Sequence, residues 1–248
     1  MKKILLMSLM ASALLMADIS KVDAQKALIQ NVVLNSKFTK YEKAVELDGF
    51  YRVYFDNGQL LYINPLNETI VFGEVWNKEG KSYTTHFMQK WKEELANSEI
   101  KNISSDKLLK PAKKVIFNKG TQNNYSFVLF TDPECPYCKT VEKFFSDGDT
   151  TVYYNFTPLP FHKNAKEWSE IALSSKDFKK ALEAIHSGNI PKTVIGDEAK
   201  KQLEQMEALA KELKVTGTPK IYVIDEKEQK IVDVVNGADI PKLEKYIK

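Results

Sequence analysis

Cysteine is nearly absent from this chain. Of 248 residues only Cys135 and Cys138 carry a thiol, and both fall in the stretch TDPECPYCKT, 131–140. A four-ligand zinc site wants a second cysteine pair, and there is none. Histidine is almost as scarce: His86, His162 and His186 have no metal-ligand spacing, so neither a metal nor a cofactor is expected. Charge of one sign never gathers. The formal net charge is +3, with lysines and acids interspersed, which argues against a nucleic-acid partner. After residue 17 no run is long and apolar enough to cross a bilayer, which takes roughly 20 residues. Internal repeats and low-complexity tracts are also lacking. What remains is an ordinary globular composition, 43% hydrophobic and 28% charged.

The first seventeen residues stand apart. MKKILLMSLMASALLMA places two lysines before a short apolar run that closes on Leu15-Met16-Ala17, the pattern of a signal peptide cleaved after Ala17. The alternative is an uncleaved anchor. Cleavage would remove Lys2 and Lys3 and no acid, taking the charge from +3 to +1. The expectation is an exported protein of the bacterial periplasm, a compartment that permits disulfides.

Residues 18–82 have one character. VDAQKALIQNVV (22–33) has helical spacing; GFYRVYF (49–55) and QLLYIN (59–64) flank the tight-turn signal DNG (56–58), and TIVFGEV (69–75) follows a second turn. This reads as a β-meander behind a leading helix, with Phe50, Tyr51, Tyr54, Phe55, Tyr62, Phe72 and Trp76 as core and cross-strand pairs. Such a unit is small for an independent core, and a second copy would supply more. In 83–114, HFMQKWKEELANSE reads as a helix with a stripe of Phe87, Trp91 and Leu95, and IKNISSDKLLKPAKK as a polar connection between domains.

From 115 to 248 strands and helices alternate. YSFVLFT (125–131), PYCKTVEKFFSD (136–147) and TVYYNFT (151–157) read as strand, helix, strand. Helical segments follow at 164–175, 177–187 and 197–214. KIYVID (220–225) and KIVDVV (230–235) form a hairpin, and ADIPKLEKYI (238–247) closes as a helix. That order is α/β: a thioredoxin fold with a helical insertion between its halves, preceded by a small α+β domain.

The cysteines therefore sit where an apolar strand ends and a helix begins. A helix N-terminus favours a thiolate, because its N–H groups are unpaired and its dipole is positive there. Pro136 fits the first helical turn. Cys138 lies one turn on, within disulfide reach of Cys135. The expectation is an exposed Cys135 that attacks and a covered Cys138 that resolves, as thiol–disulfide exchange requires. A structural disulfide or half a zinc site are the competing readings of a lone C-x-x-C. His162, in PLPFH, either lies near the redox loop or is an ordinary loop histidine. Further along, VTGTPK (215–220) puts Pro219 at a strand start, where an X-Pro bond is a candidate for cis.

Taken together, FTDPECPYC, VTGTP, GQLLYINPLNETIVFGEV and ADIPKLEKYI resemble the DsbC/DsbG family of periplasmic thiol–disulfide isomerases, with the Cys-Pro-Tyr-Cys form typical of the DsbG branch. The resemblance implies a cystatin-like dimerisation domain before the catalytic one, and a V-shaped homodimer with two redox sites facing a shared cleft. It implies Cys135 as nucleophile, Cys138 as resolving thiol in a reversible Cys135–Cys138 disulfide, and Thr218–Pro219 as the wall that pairs with a client's extended backbone. Pro136, Tyr137 and Thr218 would tune the redox poise, with the Thr218 hydroxyl approaching the Cys135 sulfur. The clients would be misfolded or partly folded exported proteins, and a membrane reductant of the DsbD type would keep the dithiol reduced. A dithiol oxidase, or a dimeric chaperone with secondary redox activity, are the alternatives. Some family members carry a further structural cysteine pair, a crosslink worth about 2–4 kcal/mol; this chain has none.

Overall fold

A computed structural model describes residues 24–117 and 123–247. The segment read as a signal peptide, 1–17, lies outside them, as do residues 18–23 of the unit that follows. The chain divides into two compact units between Glu93 and Glu94, and each is described by itself.

The first unit is an antiparallel meander behind a helix over 24–33 (α1). Strands β1 (Phe38–Lys43), β2 (Tyr51–Phe55), β3 (Leu60–Asn64) and β4 (Thr69–Val71) lie in the order β1-β2-β3-β4. Alternation along the strands separates two apolar faces. Val53, Phe55 and Ile63 pack with Ile29 of α1. Tyr54, Leu60 and Tyr62 pack with Trp91 of helix α2 (Tyr83–Ile100). The β2–β3 turn uses Gly58 at φ 84°, a conformation that glycine reaches without strain. On the α2 face the buried Arg52 guanidinium lies 3.2 Å from Glu46 and 3.4 Å from the centre of the Phe87 ring.

Three sequence readings differ here. β1 was not anticipated, because FTKYEK carries four polar or charged residues in six. Phe72 and Trp76, read as core, are exposed at 76% and 59%, since β4 stops at Val71 and the chain turns away at Gly73, φ 132°. The α2 stripe buries Trp91 but leaves Leu95 half exposed.

The second unit is built on a five-stranded sheet in the order β5-β7-β6-β8-β9: β5 (Lys113–Phe117), β6 (Tyr125–Thr131), β7 (Thr150–Phe156), β8 (Lys220–Asp225) and β9 (Lys230–Asn236). Only the β6–β7 pair is parallel; β5–β7, β6–β8 and β8–β9 are antiparallel. This is the thioredoxin-like arrangement expected from the order of elements. β5 was not anticipated, because its first two residues are lysines in a stretch read as a polar connection. β6 explains why its sequence is a continuous apolar run rather than an alternating one. Phe127 and Leu129 enter a core with Val141, Phe145, Phe156, Met206 and Ile221, while Val128 and Phe130 enter a second core on the opposite face with Leu108, Leu209 and Tyr222. A central strand covered on both faces has no polar side to show.

Helix α4 (Pro136–Asp147) follows β6. The insertion holds α5 (Ala165–Ser174), α6 (Phe178–His186) and α7 (Asp197–Glu212), within a few residues of the expected segments. A short α3 (Ser105–Leu109) precedes β5. The closing helix is shorter than the sequence suggested, with α8 over Ile240–Leu243 and then one 3-10 turn, Glu244–Tyr246.

Candidate active site

The end of β6, the N-terminus of α4 and the turn before β8 converge on the two cysteines. Cys135 is the N-cap of α4, extended at φ −79°, ψ 120°, with Pro136 at the first helical position. Its carbonyl accepts from Lys139 N–H at 3.2 Å, which starts the helix, and its own N–H donates to Asp132 O at 3.0 Å, which closes the loop. Both cysteines are free thiols. Tyr137 projects outward, 66% exposed.

Cys135 is not the exposed thiol that helix geometry alone suggested. It is 6% exposed, and Cys138 is fully buried. The cover over Cys135 comes from the turn before β8: the peptide bond Thr218–Pro219 is cis, and the Cys135 thiol donates to the Thr218 carbonyl oxygen at 3.6 Å. The contact of Thr218 with Cys135 is thus made by its carbonyl, while its hydroxyl is buried and finds no hydrogen-bond partner among the described residues.

The two sulfurs thus have unlike surroundings. Burial pushes the Cys138 thiol well above the usual range, against the pull of the Thr131 and Thr218 hydroxyls and the Asp132 amide; the Asp132 N–H donates to Cys138 Sγ at 3.4 Å. Beneath the pair lies a carboxyl that sequence reasoning missed. Glu142 is one turn after Cys138, 5% exposed, and burial pushes it up to about 8, with the charge of Asp132 adding to the shift. Thr131 Oγ1 donates to Glu142 Oε1. The other carboxyl oxygen lies 3.5 Å from His186 Nε2, too poorly aligned for a hydrogen bond. Burial, aided by the charge of Lys139, pushes His186 down to about 4. Glu142 and His186 form part of the wall of a cavity of about 360 Å³, with Tyr154, Phe178 and Leu182. The signal in the sequence was that Glu142 falls between Val141 and Phe145 on the buried side of α4.

A second buried carboxylate anchors the loop itself. Asp132 is fully buried and accepts from Leu159 N–H at 2.7 Å and Glu134 N–H at 2.8 Å. His162 Nδ1 lies 2.9 Å from Asp132 Oδ2. Of the two readings of His162, the structure selects the one beside the redox loop.

A sulfur at the helix tip, a second sulfur fully buried behind it, and a carboxyl whose value burial raises to about 8 suit proton-coupled thiol–disulfide exchange. A search of curated proteins returned no relative. Among solved structures, the chain is similar to a disulfide interchange protein from Neisseria gonorrhoeae (25% identity over 58% of this chain and 94% of that one, TM-score 0.46). It is similar also to DsbA2 of Pseudomonas aeruginosa (18% identity, 50% and 87%, TM-score 0.43) and to the catalytic domain of ScsC from Proteus mirabilis (22% identity, 60% and 91%, TM-score 0.39). The model of the thioredoxin-like domain matches residues 112–248, more than half of the sequence, and the chain belongs to that thioredoxin-like family.

Proposed function

We propose that this chain is a periplasmic thiol–disulfide oxidoreductase of the DsbC/DsbG type, which reduces or rearranges wrong disulfides in exported proteins. The observation that carries the reading is the unequal pair of sulfurs at the N-terminus of α4. Cys135 lies nearer the surface with the Thr218 carbonyl against it, and Cys138 lies behind it, fully buried, with the Asp132 N–H donated to its sulfur.

The sequence of steps follows from that inequality. The Cys135 thiolate bonds to one sulfur of a client disulfide, and the other client sulfur leaves as a thiolate. The Thr218 carbonyl, relieved of the thiol proton, is free to accept an N–H from the client's extended backbone. If another client thiolate attacks the bonded client sulfur, Cys135 departs and the client's disulfide has moved. If Cys138 bonds to Cys135 instead, the client leaves reduced and the chain holds the Cys135–Cys138 disulfide. Glu142, joined to the Thr131 hydroxyl beside Cys138, is placed, in its ionised form, to take the proton that Cys138 must lose.

A small first unit that leaves Leu34, Leu66 and Phe72 exposed supports the dimer that the family resemblance implies, with residues 18–82 as its contact and 83–114 linking them to the catalytic residues 115–248. Two sites around one client suit shuffling more than a single oxidation, and a membrane reductant of the DsbD type would maintain the dithiol. One observation favours the opposite direction. Cys135 is the N-cap of α4, and a helix N-terminus in general favours the reduced form of a dithiol there, which makes the disulfide a better oxidant. The deciding experiment is refolding of a scrambled multi-disulfide client with a trace of thiol, beside oxidation of the same client when reduced. Recovery from the scrambled form is expected. Fast oxidation of the reduced client with the scrambled one left untouched would make the chain an oxidase. Activity only in suppressing aggregation, kept when both cysteines are replaced by serine, would make it a chaperone.

A further inference from the structure

The loop 157–164 is fastened to the redox loop at four places. Thr157 N–H donates to Thr131 O at 2.7 Å. Leu159 N–H donates to the Asp132 carboxylate at 2.7 Å. The Glu134 carboxylate accepts from Asn164 N–H at 2.7 Å and from its side-chain amide at 3.0 Å. His162 Nδ1 stands 2.9 Å from Asp132 Oδ2. Three of these contacts join backbone or amide groups at the loop's two ends. His162 is the only one that sets a ring nitrogen against the fully buried carboxylate, close to it but out of line for a hydrogen bond, and a buried carboxylate that loses a close polar neighbour has a reason to move.

Movement of Asp132 would not be confined to its side chain. The same residue presents its amide to Cys138 Sγ at 3.4 Å and its carbonyl to the amide of Cys135 at 3.0 Å. The two cysteines depend on it unequally. At Cys135 the contact is made by the backbone and leaves the sulfur alone. At Cys138 it is made to the sulfur itself, in a place where burial opposes the thiolate.

We propose that His162 is a positioning residue for the resolving cysteine: by holding the Asp132 carboxylate it keeps the Asp132 amide on Cys138 Sγ, and so sets how long a mixed disulfide on Cys135 survives. The proposal rests on the assignment of Cys138 as the resolving thiol. In the step concerned, Cys138 gives up its proton, its sulfur bonds to Cys135 Sγ, and the Cys135–client bond breaks. The client sulfur leaves as a thiolate that takes a proton from water. Two electrons have then passed from the dithiol to the client disulfide. A slower Cys138 leaves more time for another client thiol to attack, so His162 governs the partition between reduction and rearrangement.

The test uses the full chain, reduced, mixed with a peptide pair joined by one disulfide and quenched with acid at intervals. The mixed disulfide is then quantified by mass spectrometry. The rate of Cys135 alkylation by iodoacetamide is measured beside it. With His162→Leu, decay of the mixed disulfide should slow about tenfold, the loss of one close polar contact to a buried carboxylate, while alkylation stays within about twofold. His162→Asn, whose amide nitrogen can occupy the place of Nδ1, should restore most of the rate. His162→Gln, whose amide reaches past that place, should behave as Leu does and replaces it if the Leu variant does not fold. Decay at the parent rate in the Leu and Gln variants overturns the proposal, and so does slowing of alkylation by the same factor as decay, or an Asn variant as slow as Leu. A parent chain that forms no mixed disulfide at all overturns the proposed function and this proposal with it.

Discussion

The thiol of Cys135 donates to the carbonyl oxygen of Thr218 across 3.6 Å, joining residues 83 positions apart. Nothing comparable reaches the sulfur of Cys138 from the surface side, since that residue is wholly covered. A reagent small enough to displace one contact meets Cys135 first. Iodoacetamide should therefore label one position per reduced chain, and peptide mapping should place it at Cys135. Cys135→Ser should abolish exchange with a peptide disulfide. Cys138→Ser should still attack but accumulate the mixed disulfide. Labelling at Cys138 first would reverse the roles.

Thr218 offers a second expectation, because its carbonyl meets the Cys135 sulfur while its buried hydroxyl, unpartnered in the thiol form, is available to a Cys138 thiolate. Thr218→Val keeps the carbonyl and deletes the hydroxyl. Cys135 alkylation should be little changed, while closure of the Cys135–Cys138 disulfide from the mixed form should slow by roughly tenfold, as expected for one donor lost from a buried thiolate. Stopped-flow measurement with a fluorescent peptide disulfide separates the two phases.

Glu142 makes stability depend on pH in a direction opposite to the usual carboxylate. Its value is raised in the folded chain from 4.5 to about 8, so the folded state holds a proton that the unfolded state releases. That contribution is complete below 4.5 and is lost as pH rises through about 8. His186, lowered from 6.5 to about 4, acts the other way: its contribution is present above 6.5 and is lost as pH falls through about 4. Denaturant unfolding between about pH 6.5 and about pH 8.5 therefore isolates Glu142, and the parent should lose about 2 kcal/mol over that window. Glu142→Gln should remove most of the loss. An equal decline in both proteins would remove Glu142 as its source.

The dimer is testable by mass. Light scattering of the chain without residues 1–17 should give about twice the monomer mass. A fragment starting near residue 112 should be monomeric and still reduce a small disulfide. A full-length monomer at micromolar concentration would remove the shared cleft from the proposal.

How much of this was legible in the sequence depended on whether a residue's neighbours lay close along the chain. β6, β8 and the insertion helices announced themselves, because YSFVLFT and KIYVID are unmistakable buried strands and the helical segments are periodic. The redox loop was equally plain, since strand, Cys-Pro and helix are contiguous. β5 was hidden by Lys113 and Lys114, whose side chains sit at an edge strand paired only with β7. The cover over Cys135 was missed because helix geometry counts only the helix. It comes from a turn 83 residues away. Glu142 was passed over because a charged residue on an amphipathic helix is normally its wet side. His162 was noticed and left open, since its partner Asp132 lies 30 positions earlier in a loop where aspartate reads as a turn former.

The near-closure of both sulfurs turns the chain's thiol poverty into a gauge of aperture. Any thiol-directed reagent reports on this one place, with no background from elsewhere in the 248 residues. Because Cys135 is only 6% exposed, the reagent's girth decides whether it reports chemistry or access. The ratio of labelling rates for iodoacetamide and for a wide maleimide then measures how often the Thr218–Pro219 turn swings clear. Followed while a client peptide is titrated in, that ratio would show whether clients lift the turn themselves or wait for it to open.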